Sequence, residues 1–184
     1  MNPTILGAAL VIVLPTVVSV GGGAIMTRLS GRAIVTSQLA KLPKADRTPL
    51  NSRWLGYDKP AVERHWGVLD RAALAAETRF LEIDLFFPIV YGGAFLVALL
   101  IAWASLGREF NPAWIVAVVA VTIASDWTEN LTLLPQIRAF ATSGAASLDA
   151  GRIGIAAAAT MLKLAGVVTL MLVTAGMAIR MFWR

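Results

Sequence analysis

Two acidic residues interrupt an apolar stretch near the middle of the chain. Asp126 and Glu129 lie there with Asn130, and Thr122 comes one helical turn earlier. At about 100° per residue these side chains fall within one helical stripe roughly 100° wide. A carboxylate near the centre of a membrane helix costs about 2.5 to 3.5 kcal/mol on insertion scales, so the stripe needs partners, water or protons. Because close buried carboxylates separate in pKa, this pair is suited to acid–base chemistry.

Groups from two other apolar segments are predicted to meet this stripe. Asp84 precedes the second segment, and Tyr91 shares its face at helical spacing, while Lys163 lies about ten residues into the fourth segment as the expected counter-ion. Intramembrane ionisable groups are candidates for function. We expect Asp126 and Glu129 to act as the acid–base pair and Asp84 to stabilise positive charge. The residues expected to bind substrate are Tyr91, Asn130, Lys163 and Thr122.

Pro88 leaves two readings of the approach to this site. If residues 80–90 form one continuous helix, Pro88 cannot bond the carbonyl of Asp84, and that free acceptor belongs to the site. If the helix begins at residue 85, Pro88 occupies a tolerated first turn and the argument weakens.

A structural role and a metal site are the alternatives for the same residues. Lys163 can neutralise one acid while Asn130 and Tyr91 bond the rest, which would fix helix register without chemistry. Oxygen ligands from Asp84, Asp126, Glu129 and Asn130 could hold Mg²⁺, with Arg79 or Arg138 binding phosphate, as in a lipid phosphotransferase. We expect neither a metal nor another cofactor.

Four apolar segments must position these residues, at about 4–26, 85–106, 113–134 and 153–179. Each is long enough to cross a hydrocarbon core of about 30 Å as a helix. With 58% hydrophobic residues, 15% charged residues and a mean hydropathy of +0.72, a water-soluble fold is unfavourable. The prediction is an all-α polytopic membrane protein, a single domain over 1–184. Cysteine is absent, which excludes disulfides and thiolate ligands.

Basic residues predict the orientation of these helices. Ten Lys and Arg lie in 28–84 and two in 135–152, whereas Arg108, Arg180 and Arg184 would lie on the opposite side. The positive-inside rule then places the 27–84 loop in the cytoplasm and both termini outside, as in a bacterial inner-membrane protein. Topology and anionic lipid headgroups account for these charges, so we expect membrane lipids rather than nucleic acid as partners.

Local patterns add detail to the loop and the helix ends. Asp58 and Pro60 are a suitable N-cap and first-turn pair for an amphipathic helix running to Ile83, on the membrane surface or folded under the bundle. Residues 41–53 look like an exposed connector. The third apolar helix is expected to end at Pro135, one to two turns beyond its acids. The glycines at 21–23 are expected to end the first helix or to serve its packing.

The series Asp84, Phe87-Pro88, Tyr91-Gly92, then Asp126 and Glu129-Asn130 resembles a family of small bacterial four-helix membrane proteins with D…FPxxYG and DxxEN motifs. That likeness covers about residues 55–134 and implies no reaction. A looser architectural likeness is to the EXPERA group of sterol isomerases and sigma-2-type receptors. This second resemblance implies that intramembrane acids serve a lipophilic, often cationic or cation-forming, ligand.

The leading hypothesis is a carboxylate-lined pocket, open to the cytoplasmic leaflet, for a lipid or isoprenoid substrate. Isomerisation or cyclisation by acid–base catalysis is the expected chemistry. One alternative is a proton- or cation-coupled transporter or channel subunit, which would require a homo-oligomer, although the outer halves of helices two to four are almost free of polar residues. Another is a non-catalytic subunit of a membrane complex.

Overall fold

Helices form nearly the whole of the computed structural model, which describes residues 3–109 and 111–183. No strand occurs within those residues. The seven α-helices are α1 Pro3–Ser30, α2 Ala33–Leu39, α3 Lys59–Gly67, α4 Arg71–Ile83, α5 Phe87–Ser105, α6 Ala113–Ser143 and α7 Ala150–Phe182. Short 3₁₀ turns occur at Lys44–Asp46, Leu50–Ser52 and Ala145–Ser147.

Three of the helices are long and apolar enough to cross a membrane: Ile5–Ser30 within α1, Phe87–Ser105 and Ala150–Phe182. The four predicted segments correspond to α1, α5, α6 and α7. Helix α6 is not among the apolar three, because Asp126, Glu129 and Asn130 lower the mean hydropathy of its central turns. The all-helical prediction is confirmed, and the membrane character rests on three helices.

Two helix ends differ from the expectation. Helix α6 continues through Pro135 to Ser143 rather than ending there. Pro135 lies on an exposed face, where water or a lipid headgroup can satisfy the carbonyl that it leaves unbonded. The acids therefore lie near the middle of α6. Helix α1 likewise runs past its three glycines to Ser30, because Gly22 packs against Phe87 instead of ending the helix.

The segment between α1 and α5, residues 31–86, folds as a compact unit that we call the loop module. Its predicted amphipathic helix is two helices, because the Asp70 side chain accepts a hydrogen bond from Ala73 N and caps the start of α4. Trp66 and Ile137 belong to one core cluster, so the module folds under the bundle. The connector at 41–53 is not wholly exposed, because Leu50 is buried in that core.

The membrane bundle is held by close packing between its long helices. Helix α6 packs along α7 and α5, and α1 packs against α5 and α7. Gly92 on α5 leaves no room for a Cβ beside Ile123 of α6, and a Cβ at Gly166 on α7 would overlap Thr122. Small residues thus bring α5 and α7 close to α6, on both sides of the acidic stripe.

Candidate functional site

Asp126 lies at the centre of a buried polar cluster formed by α5, α6 and α7. The Tyr91 hydroxyl donates to its Oδ2 at 3.0 Å. Its Oδ1 accepts from Lys163 Nζ and from Asn130 Nδ2, both at 3.2 Å. Three donors thus converge on the Asp126 carboxylate. The predicted meeting of the three helices at this residue therefore occurs.

Glu129 lies one turn further along α6 and behind Lys163. The Lys163 ammonium donates to Glu129 Oε2 and forms ion pairs with both acids. Glu129 is fully buried, and its second oxygen, Oε1, has no hydrogen-bond partner among the described residues. Lys163 is therefore the counter-ion that the sequence predicted, shared by two carboxylates.

Asp84 enters the cluster from the turn between α4 and α5. Helix α5 begins at Phe87, so Pro88 occupies its first turn, as in the second reading. The Asp84 carbonyl nevertheless accepts from Asn130 Nδ2 at 3.2 Å. Burial raises the pKa of the Asp84 carboxyl well above its usual range, and the nearby charge of Asp126 acts in the same direction. These surroundings favour the protonated form of Asp84.

A cavity of about 370 Å³ opens beside this cluster, between α1 and the helices that carry the acids. Its apolar lining residues are Met26, Phe80, Phe87, Leu164 and Val167. Its polar lining residues include Asp84, Tyr91, Asp126 and Lys163. Ser19 of α1 also lines it, and the Ser19 hydroxyl is buried without a hydrogen-bond partner among the described residues. The volume lies in the range of small-molecule sites.

The predicted site residues divide into two groups. Asp84, Tyr91, Asp126 and Lys163 line the cavity, whereas Glu129 and Asn130 are fully buried and do not. Thr122 joins neither group, because its hydroxyl donates to the Val118 carbonyl and its side chain packs against Gly166. Thr122 is thus a helix-packing residue.

The phosphate-binding arginines of the magnesium alternative lie away from the cavity. Arg138 pairs with Glu82 at 2.7 Å on the surface, and Arg79 is exposed. No group of three or more His, Cys, Asp or Glu side chains in residues 3–109 and 111–183 is arranged to hold a metal ion. Instead, the Lys163 ammonium is the cation between Asp126 and Glu129.

Sequence reasoning missed a second charged group at the cavity. Arg32 donates to both Glu77 oxygens at 3.0 Å and to Asn51 Oδ1 at 3.2 Å. Its guanidinium lies 3.7 Å from the centre of the Phe80 ring. In the sequence analysis Arg32 is only one of the ten basic residues of 28–84. Glu77 could have indicated this pair, because it is the acidic residue on a face of α4 that is otherwise apolar and buried.

The net charge of the main cluster is negative if every group ionises. Asp84, Asp126 and Glu129 are matched by Lys163 alone within the cluster. Excess negative charge in a low-dielectric site favours protonation of one acid or a bound cation.

No family model, curated protein or solved structure matches this chain. The geometry of the cavity and its cluster is therefore the available guide to function.

Proposed function

We propose that this protein is an integral membrane protein that binds a lipophilic molecule in the cavity beside Asp126 and performs acid–base chemistry on it. The observation that carries the proposal is the lining of the cavity. Apolar side chains line it together with two carboxyl groups, a phenol, an ammonium and the Arg32 guanidinium. A lipid or isoprenoid segment fits the apolar part of such a lining, which also offers a proton donor and a proton acceptor.

Asp84 and Asp126 are the proposed acid and base, because both line the cavity. Burial favours the protonated form of Asp84, whereas the Asp126 carboxylate accepts three hydrogen bonds and is paired with the Lys163 ammonium. If one carboxyl group holds a proton and its neighbour accepts one, the pair can move a proton from one position of a substrate to another. Glu129 takes a supporting role in this proposal, because it binds Lys163 from behind the cavity wall.

Helix α6 is the proposed fourth membrane span. Its 31 residues reach about 46 Å, more than a hydrocarbon core requires. It packs along α5 and α7, which are both apolar enough to span. Its acids face Lys163, near the middle of α7, rather than lipid. Together with the basic loops, this arrangement supports termini outside and a cytoplasmic loop module in a bacterial inner membrane.

Native mass spectrometry of the purified protein tests the proposal. Wild type is compared with Asp84→Asn/Asp126→Asn, which keeps Lys163 paired with Glu129, and with the control Glu82→Gln on the exposed surface. We expect a defined lipophilic molecule to accompany wild type and the control and to be lost from the double variant. The structure of that molecule would then nominate the reaction.

The opposite result would favour the structural alternative. If all three proteins carry the same mixture of bulk phospholipids, the cavity has no specific ligand. The ion pairs of Lys163 would then serve to fix helix register, as in a non-catalytic subunit.

A further inference from the structure

A second groove lies beside α7, between that helix and residues 53–58 of the loop module. It is open, has a volume of about 570 Å³ and is lined by Arg53, Tyr57 and Asp58 on one side and by Ala157 and Met161 on the other. Asp58 is exposed and Tyr57 is half-buried. The groove therefore brings a charged surface to the base of the bundle.

Tyr57 connects this groove with the interior. Its hydroxyl lies 3.2 Å from Oγ1 of Thr160, which is fully buried on α7. The Thr160 hydroxyl donates to the Ala156 carbonyl at 3.0 Å and also interacts with the Glu129 carboxylate. Rotation about one side-chain bond would redirect the Thr160 proton from that carbonyl towards Glu129.

Glu129 is a buried acid that cannot contact a ligand in the cavity. It is fully buried, does not line the cavity, and keeps Oε1 without a hydrogen-bond partner among the described residues. Its other oxygen binds Lys163, which in turn binds Asp126 at the cavity wall. A continuous series of polar groups thus joins the groove to the cavity: Tyr57, Thr160, Glu129, Lys163 and Asp126.

We propose that Tyr57, Thr160 and Glu129 form a proton path from the open groove to the acid–base site at Asp126. A water molecule in the groove gives a proton to the Tyr57 oxygen and is left as hydroxide in the solvent. Tyr57 passes its own proton to Thr160, and Thr160 passes one to Glu129. Lys163 gives a proton to Asp126 and regains one from Glu129. The net change is the transfer of one proton from the groove to Asp126, with no oxidation or reduction.

The surroundings of Tyr57 suit a relay that stays neutral between transfers. Burial raises the pKa of the Tyr57 hydroxyl, and the negative charge of Glu129 raises it further, whereas Thr160 and Arg53 act in the opposite direction. A neutral hydroxyl can accept and donate a proton at the same time. Asp126 is the proposed base, so a proton that it takes from a substrate must leave before the next turnover. The same transfers in reverse return that proton to the groove, and in that respect the path rests on the proposed function.

Hydrogen exchange at the two tyrosines of this chain tests the path. Tyr91 donates to Asp126 and reports on the inner cluster, and Tyr57 reports on the groove. Protein labelled with carbon-13 at tyrosine Cζ is placed in lipid nanodiscs, and the exchange of each hydroxyl in mixed H₂O and D₂O is read from the isotope shift. Wild type is compared with Thr160→Val, which lacks the hydroxyl, and with Thr160→Ser, which keeps it.

We expect Tyr91 exchange to slow by about tenfold or more in Thr160→Val, while Tyr57 exchange in that variant and both rates in Thr160→Ser stay near wild type. Tyr57→Phe should slow Tyr91 exchange as well and provides the test if Thr160→Val does not fold. Ser19→Ala, which removes a hydroxyl on the cavity side, should change neither rate.

Unchanged Tyr91 exchange in Thr160→Val and Tyr57→Phe would overturn the path. Slower Tyr91 exchange in Ser19→Ala alone would also overturn it, because protons would then enter through the cavity. Slower exchange at both tyrosines in Thr160→Val would do the same, since it would indicate a general change in structure. No ligand is present in these measurements, so their failure leaves the proposed binding function to its own test.

Discussion

Gly22 on α1 lies against the aromatic ring of Phe87 on α5 with no room for a side chain between them. A Cβ at Gly22 would overlap Cε2 of the ring and lie 3.0 Å from Cζ. The neighbouring glycines at 21 and 23 would meet nothing within 4 Å. Since Gly23 and Phe87 both line the cavity, this contact sets how closely α1 covers it.

Gly22→Ala is therefore expected to lower stability, with Gly21→Ala and Gly23→Ala as matched controls. Alanine gains up to about 1 kcal/mol of helix propensity at all three positions. At Gly22 alone, overlap with Phe87 costs about 1 to 3 kcal/mol. Thermal unfolding in one detergent measures the difference, and Gly22→Ala should unfold at the lowest temperature. Equal unfolding of the three variants would mean that the ring moves aside at no cost.

Lys163→Met is expected to be the most damaging single change in the cluster. It leaves Asp126 and Glu129 buried without their counter-ion, which costs about 3 to 5 kcal/mol for a buried pair. Adding Asp126→Asn and Glu129→Gln to the same protein should recover most of that loss, because the uncompensated charges are gone. Thermal unfolding of the single and triple variants gives the comparison.

The surface pair of Arg138 and Glu82 supplies the control for that experiment. Both side chains are about half exposed, so Arg138→Met should cost no more than about 1 kcal/mol. A loss in Lys163→Met as small as the loss in Arg138→Met would show that water reaches the cluster and screens its charges.

The sequence predicted the polar cluster better than it predicted the cavity. Periodicity identified the Asp126 stripe, and the rarity of charge in apolar segments drew attention to Asp84 and Lys163. Both rules apply to one helix at a time. They identified the cluster because the acids of α6 pair with Lys163 of α7 in the folded protein. Thr122 shares the stripe, but it packs against Gly166, because one helical face serves both packing and chemistry.

The cavity depends on α1, a strongly apolar helix. Its sequence contains no charged residue before Arg28 and therefore does not indicate a site. Ser19 and Arg32 reach the site only because α1 packs across α5 and α7 and the chain then turns into the loop module. Such contacts join residues far apart in sequence. The continuation of α6 past Pro135 also depends on tertiary structure. A proline on an exposed face is tolerated within a helix where another donor reaches the carbonyl that it leaves unbonded.

His65 makes the stability of the loop module depend on pH. Burial lowers the pKa of His65 to about 3, the positive charges of Arg53 and Arg32 contribute to this, and Asp46 opposes it. An unfolded chain binds a proton at this side chain below a pH of about 6.5, whereas the folded chain does not until about pH 3. The free energy of unfolding should therefore fall by about 2 kcal/mol between pH 7 and pH 5.

His65→Gln removes this titration and keeps a polar side chain. Thermal unfolding of both proteins at pH 7, 6 and 5 should show a clearly smaller decrease for His65→Gln. Parallel decreases in the two proteins would assign the pH dependence to other groups.

Asp84 should react with a lipophilic carbodiimide, which modifies protonated carboxyl groups in apolar surroundings. Dicyclohexylcarbodiimide is expected to modify Asp84 faster than Glu129, because Asp84 lines the cavity, whereas Glu129 binds Lys163 behind the cavity lining. Mass spectrometry of peptides locates the modified residue. Glu82, on the surface, serves as the control and should react with a water-soluble carbodiimide instead.

The rate of Asp84 modification should also depend on the charge of Asp126. Asp126 raises the pKa of Asp84, so Asp126→Asn should lower that pKa and reduce the protonated fraction at neutral pH. Modification of Asp84 should then be slower in Asp126→Asn than in wild type at pH 7, and it should decrease in both proteins as the pH rises. Equal rates in the two proteins would mean that the carboxyl groups titrate independently, and the acid–base pairing of Asp84 with Asp126 would lose its electrostatic basis.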